Sequence, residues 1–260
     1  MPGKQRSEPS RSSGAGITAM IPARMASTRL PGKPLLDLCG KSVIQWVYER
    51  ASLAGCFDSV LVATPDQEIA YEVEDFGGRV VLTSPECRSG TDRLAEACRK
   101  TAVGDIIVNI QGDEPLVQPS CVAQLAAATV DQSSIKMASV MCPLQDTDDP
   151  DDPNLVKVVV DKDGFALYFS RSRIPYVRDP EVSATVYGHV GIYAYRRDYL
   201  LKLAATPPSA LEMAESLEQL RALENGIKIK MIETASRPIS VDTQEDLERV
   251  RALVAGGGAL

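Results

Sequence analysis

Between residues 17 and 130 the chain alternates short, β-branched apolar runs with longer stretches of helical periodicity, and few folds accept that order. The runs at 17–21, 59–64, 79–83 and 105–110 have strand length, and Asp-Ile-Ile-Val-Asn-Ile at 105–110 carries the strongest strand signal. Between them, 42–54 places Val43, Ile44, Val47, Ala51 and Ala54 on one helical face. The stretch 66–76 reads as a helix stopped by Gly77-Gly78, and further helices are expected over 91–101 and 119–130. Strands joined by helices of ten or more residues imply right-handed crossovers and a mainly parallel central sheet flanked by helices. Ligands of such sheets sit beyond the carboxyl ends of the strands, near a topological switch point. The connections at 22–33, 84–90 and 111–118 all fall at that end.

After residue 137 the rhythm changes. Strands are expected at 137–142, 156–161, 165–170 and 191–195, with Asp161-Lys162-Asp163-Gly164 as a turn. A helix over 211–224 is stopped by Asn225-Gly226, a strand follows at 227–232, and a last helix covers 244–254. No internal repeat is visible. This half is expected to extend the same sheet with an insertion, giving a single domain over 17–254. Residues 1–16 are rich in Ser, Gly, Pro and charge without an apolar signal core, and with the tail 255–260 they read as disordered.

Composition narrows the partners. Against 28 lysines and arginines stand 35 aspartates and glutamates, a formal charge of −7, which argues against a nucleic acid as main partner. No run approaches the roughly 18 apolar residues that span a bilayer, so a cytoplasmic protein without membrane attachment is expected. Six cysteines are scattered without Cys-x-x-Cys spacing and His189 is the only histidine, so neither a zinc site nor a disulfide framework is indicated. Gly-x-Gly-x-x-Gly, the P-loop and Gly-x-Ser-x-Gly are all absent.

Five segments carry chemistry. The first is Ile-Pro-Ala-Arg-Met-Ala-Ser-Thr-Arg-Leu-Pro-Gly-Lys at 21–33, which puts Arg24, Arg29 and Lys33 on a loop stiffened by Pro22 and Pro31. Arginine forks and a compact ammonium suit a polyphosphate, although a solvated surface loop has the same composition. The second is Gln111-Gly112-Asp113-Glu114-Pro115, directly after the strongest strand. A carboxylate there suits Mg²⁺, which takes one or two carboxylates plus substrate phosphates, while the competing reading is a turn or cap. In the third, Val241-Asp242-Thr243-Gln244-Glu245-Asp246, either Thr243 or Asp242 caps the last helix; if Thr243 does, Asp242 is free as a second metal carboxylate. The fourth, Arg88-Ser89-Gly90-Thr91-Asp92-Arg93, offers backbone groups at Ser89 and Gly90 to a base and Arg93 as a charge, with capping by Ser89 an equal account. The fifth is Tyr187-Gly188-His189-Val190-Gly191-Ile192-Tyr193, where a lone histidine is as well explained by structure. Glu215, Glu218 and Gln219, on the helix at 211–224, taken alone fit a solvated polar face.

Taken in order over 18–250, these segments resemble the 3-deoxy-manno-octulosonate cytidylyltransferase family. The resemblance is carried by 21–34, 89–93, 108–115, 166–175, 189–195, 217–223 and 241–247. It implies a nucleotide-diphospho-sugar-transferase-like α/β fold and a homodimer built partly by inserted strands at about 154–200. It further implies transfer of CMP from CTP to 3-deoxy-manno-octulosonate (Kdo) with Mg²⁺ as cofactor. By matched position, Arg24, Arg29 and Lys33 would hold the triphosphate, and Pro22, Ala23, Ser89 and Gly90 would line the cytosine with Arg93 nearby. Asp113 and Asp242 would bind magnesium; Gln111, His189, Tyr193, Glu218 and Gln219 would shape the sugar pocket. The chain departs from the family pattern at Gly188 and around 213–216, both beside that pocket. Related acceptors, 8-amino-Kdo or sialic acid, are the alternatives to Kdo, and a non-catalytic nucleotide-binding protein is the third reading.

Overall fold

The computed structural model describes residues 16–27, 29–179, 181–235 and 237–257, so the expected N-terminal extension falls almost wholly outside the described residues. Strand β1 (Ile17–Pro22) leads through a loop and a one-turn 3₁₀ helix (Lys33–Leu35) to a small hairpin, β2 (Asp37–Leu38) and β3 (Lys41–Ser42). Helix α1 (Val43–Leu53) starts at Ser42, whose hydroxyl accepts from the Gln45 amide. Next come β4 (Ser59–Thr64), α2 (Gln67–Asp75), β5 (Val80–Leu82), α3 (Gly90–Lys100), β6 (Ile106–Asn109) and α4 (Pro119–Asp131). The second half contributes β7 (Met137–Pro143), β8 (Lys157–Val160), β9 (Ala166–Ser170), β10 (Tyr187–Arg196), α5 (Arg197–Ala205), α6 (Ala210–Glu215), α7 (Gln219–Glu224), β11 (Ile229–Glu233) and α8 (Gln244–Ala255).

The main sheet runs β11-β7-β10-β6-β1-β4-β5. Neighbours are parallel except around β10, which is antiparallel to both β6 and β7. β8 and β9 form an antiparallel extension that joins through β8 to the start of β10. The second half therefore adds to one sheet, as its strand pattern suggested. The parallel strands are apolar on both faces because both are covered. Alternation along β1 and β6 sends Ala19, Ile21, Ile106 and Val108 into the cluster under α1 and α4. Met20 and Ile107 pack on the opposite side with Leu94 of α3 and Leu200 of α5.

Two segments differ from their sequence reading. The strand expected at 191–195 begins at Tyr187, and a register shift between Val190 and Tyr193 lets it continue through Gly191. The single helix expected over 211–224 is instead two short ones. Ser216 adopts a left-handed conformation, φ 52°, and ends α6. Arg171 at the end of β9 explains the break, since its guanidinium donates to the carbonyls of Glu215 and Ser216. The Glu215 carboxylate answers by accepting from Ser170 Oγ (2.7 Å) and the Arg171 amide (2.9 Å). Helical periodicity continues through 211–224, but tertiary hydrogen bonds override it, and after the break Leu217 and Gln219 are buried.

Candidate active site

The loop after β1 is fixed at both ends. The Ala23 amide donates to the Ala63 carbonyl, the Met25 amide to Asp66 Oδ2 (2.6 Å), and the Gly32 amide back to the Met25 carbonyl. Gly32, at φ 68°, makes the left-handed turn that starts the 3₁₀ helix and aims Lys33 inward. Lys33 Nζ lies 2.6 Å from Asp113 Oδ2 and 3.0 Å from Asp242 Oδ1, and Arg29 reaches the same Asp242 oxygen at 3.1 Å. Burial opposes the charge on Lys33, but the two aspartates outweigh it and hold its pKa above the ordinary lysine value.

Asp113 reaches this point because Gly112 passes close under β1: a Cβ there would stand 2.7 Å from the Pro22 carbonyl oxygen. Asp242 arrives through the Val241 amide, which donates to the Asp113 carbonyl (2.8 Å). The capping question is settled in favour of Thr243. Its hydroxyl accepts from the Asp246 amide, and Asp246 accepts from the amides of Thr243 and Asp242. The Asp242 side chain is thereby left out of the cap and faces Lys33. Glu114 next to Asp113 is buried with Oε2 unpartnered. Burial first, then the charges of Asp113 and Asp242, pushes its pKa up to about 8.

A cleft of about 750 Å³ opens over this cluster, and Pro22, Ala23, Arg24, Arg29, Lys33, Ser89, Gly90, Arg93, Asp113 and Asp242 all line it. Arg88, which the sequence reading passed over, lines it as well. Five cations thus face three carboxylates inside a chain of net charge −7, which makes the cleft a local trap for anions. Ser89 does cap α3, accepting from the Asp92 amide. Arg93 is committed to the wall, donating to Thr83 Oγ1 (2.6 Å) and the Ser84 carbonyl.

A second cavity of about 270 Å³ adjoins the first and shares Gly90, Gln111 and Glu218 with it. His189, Tyr193 and Gln219 line it. Gln111 is held by its Nε2 donating to the Gly191 carbonyl (2.8 Å), and Glu218 by accepting from Thr91 Oγ1 (2.7 Å). Gln219 is buried and so is no solvated face, whereas Glu218 stays exposed while making this contact. His189 Nε2 lies 2.9 Å from Ser139 Oγ, whose own proton goes to the Ile192 carbonyl (2.9 Å), so Nε2 is the protonated nitrogen. Packed edge-on against Phe169 and beside Tyr193, the ring has its pKa pushed down to about 3 by burial and stays neutral at ordinary pH. Asn109, Thr91 and Tyr195 also line this cavity and were missed. The visible signal was a lone amide in the apolar run of β6.

Comparison with known proteins bears directly on this pair of cavities. Residues 18–229 match the family described as Cytidylyltransferase. The 3-deoxy-manno-octulosonate cytidylyltransferase of Geobacter sulfurreducens is 49% identical over 244 residues, covering 90% of this chain and 97% of that one. This chain belongs to that family. The enzyme of the same name from Myxococcus xanthus is 48% identical over 240 residues, covering 92% and 97%. Among solved structures, CMP:2-keto-3-deoxy-manno-octonic acid synthetase complexed with CTP superimposes with a TM-score of 0.89 at 45% identity, covering 93% of this chain and 99% of that one. The 4-diphosphocytidyl-2C-methyl-D-erythritol synthase of Anaerococcus prevotii, at 15% identity and a TM-score of 0.63, shares the fold. The mainly parallel α/β architecture is thus common to the 3-deoxy-manno-octulosonate cytidylyltransferases and to more distant cytidylyl enzymes.

Proposed function

We propose that this protein transfers CMP from CTP to Kdo, releasing diphosphate and activating the sugar acid for lipopolysaccharide synthesis. The observation that carries the reading is the junction of the two cavities. A basic cleft of nucleotide size meets a small polar cavity at Gln111 and Glu218, beside the convergent Asp113, Lys33 and Asp242.

Two carboxylates converging on one cationic point fit Mg²⁺. No group of three or more His, Cys, Asp or Glu side chains among the described residues is placed to hold a metal, so phosphate oxygens would complete the coordination. Bound by Asp113 and Asp242, Mg²⁺ would neutralise charge on the α-phosphate and favour ionisation of an attacking hydroxyl. The protein's own groups supply the rest. Pro22, Ala23, Ser89 and Gly90 enclose the base, and Arg24, Arg29 and Lys33 hold the β- and γ-phosphates. The anomeric hydroxyl of the sugar acid attacks the α-phosphorus in line. A new O–P bond forms, the bond to the β-phosphate oxygen breaks with its electron pair leaving on diphosphate, and the hydroxyl proton passes to solvent. The charge gathering on diphosphate is stabilised by Lys33 and the arginines, where positioning and electrostatics account for most of the rate. His189, neutral and tied to Ser139, orients the sugar rather than acting as a base.

Diphosphate release from CTP with Kdo, 8-amino-Kdo and sialic acid in turn, with and without Mg²⁺, tests the reading. Release with Kdo alone supports it, release with another acid reassigns the acceptor, and no release with any of them refutes it. We place the reaction in the cytoplasm, and no helix among the described residues is long and apolar enough to cross a membrane. A homodimer formed through the 154–200 region is part of the same proposal. Leu167, Tyr176 and Val182 there are 61%, 85% and 56% exposed, apolar side chains that a partner subunit would cover. Light scattering at a subunit mass of 28.0 kDa checks it.

A further inference from the structure

Asn109 ends β6 and stands opposite Tyr193 of β10. Its neighbours Val108 and Ile110 point into the core under α1 and α4, so Asn109 and Gln111 share the opposite face, where both line the smaller cavity. Asn109 is only 3% exposed, and its Oδ1 has no hydrogen-bond partner. Thr91 in the same wall spends its single proton on Glu218 Oε2 (2.7 Å), whereas Asn109 Oδ1 is left over as an acceptor.

A buried acceptor without a partner is costly, and native structures keep few of them. Five buried side-chain atoms are unpartnered among the described residues, and only two of these belong to this cavity: Asn109 Oδ1 and Gln219 Nε2. One is an acceptor and the other a donor. They match a ligand presenting a hydroxyl to Asn109 and an accepting oxygen to Gln219. A carboxylate would be repelled by Oδ1, so the pair also sets the direction in which an acid enters.

We propose that Asn109 is a specificity-determining residue of the acceptor site, its Oδ1 accepting from a hydroxyl of a polyhydroxylated sugar acid. The assignment rests on the sugar-acid reading of the cavity given above. The experiment uses Asn109→Ala in the full chain. Diphosphate release is followed with CTP and sugar acid varied separately, and CTP binding is read by thermal shift. Asn109→Ala should raise KM for the sugar acid about 10- to 100-fold, a change of about 1.4–2.7 kcal/mol, with KM for CTP within about twofold. In a panel of deoxygenated sugar acids, the one lacking the recognised hydroxyl should lose its penalty in Asn109→Ala. Should Asn109→Ala not fold, Asn109→Ser is read in the same way. An unchanged sugar-acid KM in a variant that still binds CTP overturns the assignment, as does an equal rise in both KM values. Normal parent turnover with an insensitive variant refutes this assignment alone, whereas no turnover by the parent with any sugar acid refutes the proposed function.

Discussion

Replacing Lys33 by Met tests whether Asp113 and Asp242 are held together as a pair that a cation must bridge. Methionine keeps the length and apolar stem of the side chain and removes only the charge. The two carboxylate oxygens each touch Lys33 Nζ, at 2.6 and 3.0 Å, so they lie within about 5.6 Å of each other. Two negative charges at that separation repel by about 3 kcal/mol at an effective dielectric of about 20, and by about 0.7 kcal/mol in bulk water. Asp113 and Asp242 are 28% and 33% exposed, and Arg29 still touches Asp242, so the lower half of that range applies. Lys33→Met should therefore cost about 1–2 kcal/mol, seen as a melting temperature about 3–6 °C lower without divalent cations. Millimolar MgCl₂ should return most of that loss and shift the variant more than the parent, since the cation no longer competes with an ammonium group. Turnover should stay about 100-fold or more below the parent even with MgCl₂, because the charge opposite diphosphate is gone. A variant with the parent's melting temperature and an identical response to MgCl₂ would refute the bridged-pair argument.

Further outcomes are expected elsewhere. Asp113→Asn retains an oxygen for Lys33 and the fold, but should lower kcat about 100-fold or more; an unchanged kcat removes Asp113 from the metal assignment. His189, held down to about 3 against an ordinary 6.5, declines a proton that the unfolded chain accepts. Its contribution to stability is full above about pH 6.5 and is lost as pH falls toward 3, by at most about 2 kcal/mol at pH 5 given its partial exposure to the cavity. His189→Gln should therefore lose less melting temperature between pH 7 and 5 than the parent, and equal losses would contradict the burial argument. The parent's pH–rate profile between 5.5 and 8 should show no histidine ionisation. The buried Arg221–Glu212 pair joins α7 to α6, with Nε donating to Glu212 Oε2 at 2.7 Å and Nη2 to Oε1. Arg221→Met strands the carboxylate and should cost about 3–5 kcal/mol by thermal or urea unfolding. Adding Glu212→Leu should recover much of it, and no recovery would mean that the arginine's packing, not its charge, holds the junction.

Which parts of this architecture could be read in advance follows from the range of the interactions that made them. The strands and helices of the first half depend on side-chain periodicity within five to fifteen residues, and they emerge where the periodicity places them. The break at Ser216 depends on Arg171, and nothing within the stretch 211–224 announces it. The N-cap of α8 was ambiguous for a different reason: Asp242 and Thr243 both have a carboxylate three residues on, so spacing cannot rank them. What ranks them is the Val241 amide meeting the Asp113 carbonyl, a contact that turns the Asp242 side chain toward Lys33. Lys33 is separated from Asp113 by 80 residues and from Asp242 by 209, so residue types could nominate these groups but only the sheet order could join them. Asn109 is the instructive case. A single amide in a buried apolar strand is a local anomaly, and its local reading is a defect. Only when β10 is laid antiparallel against β6 does the amide become part of a cavity wall, with its oxygen unpartnered. The polar residue that weakens the strand as a strand is then the one that the sheet has reason to keep.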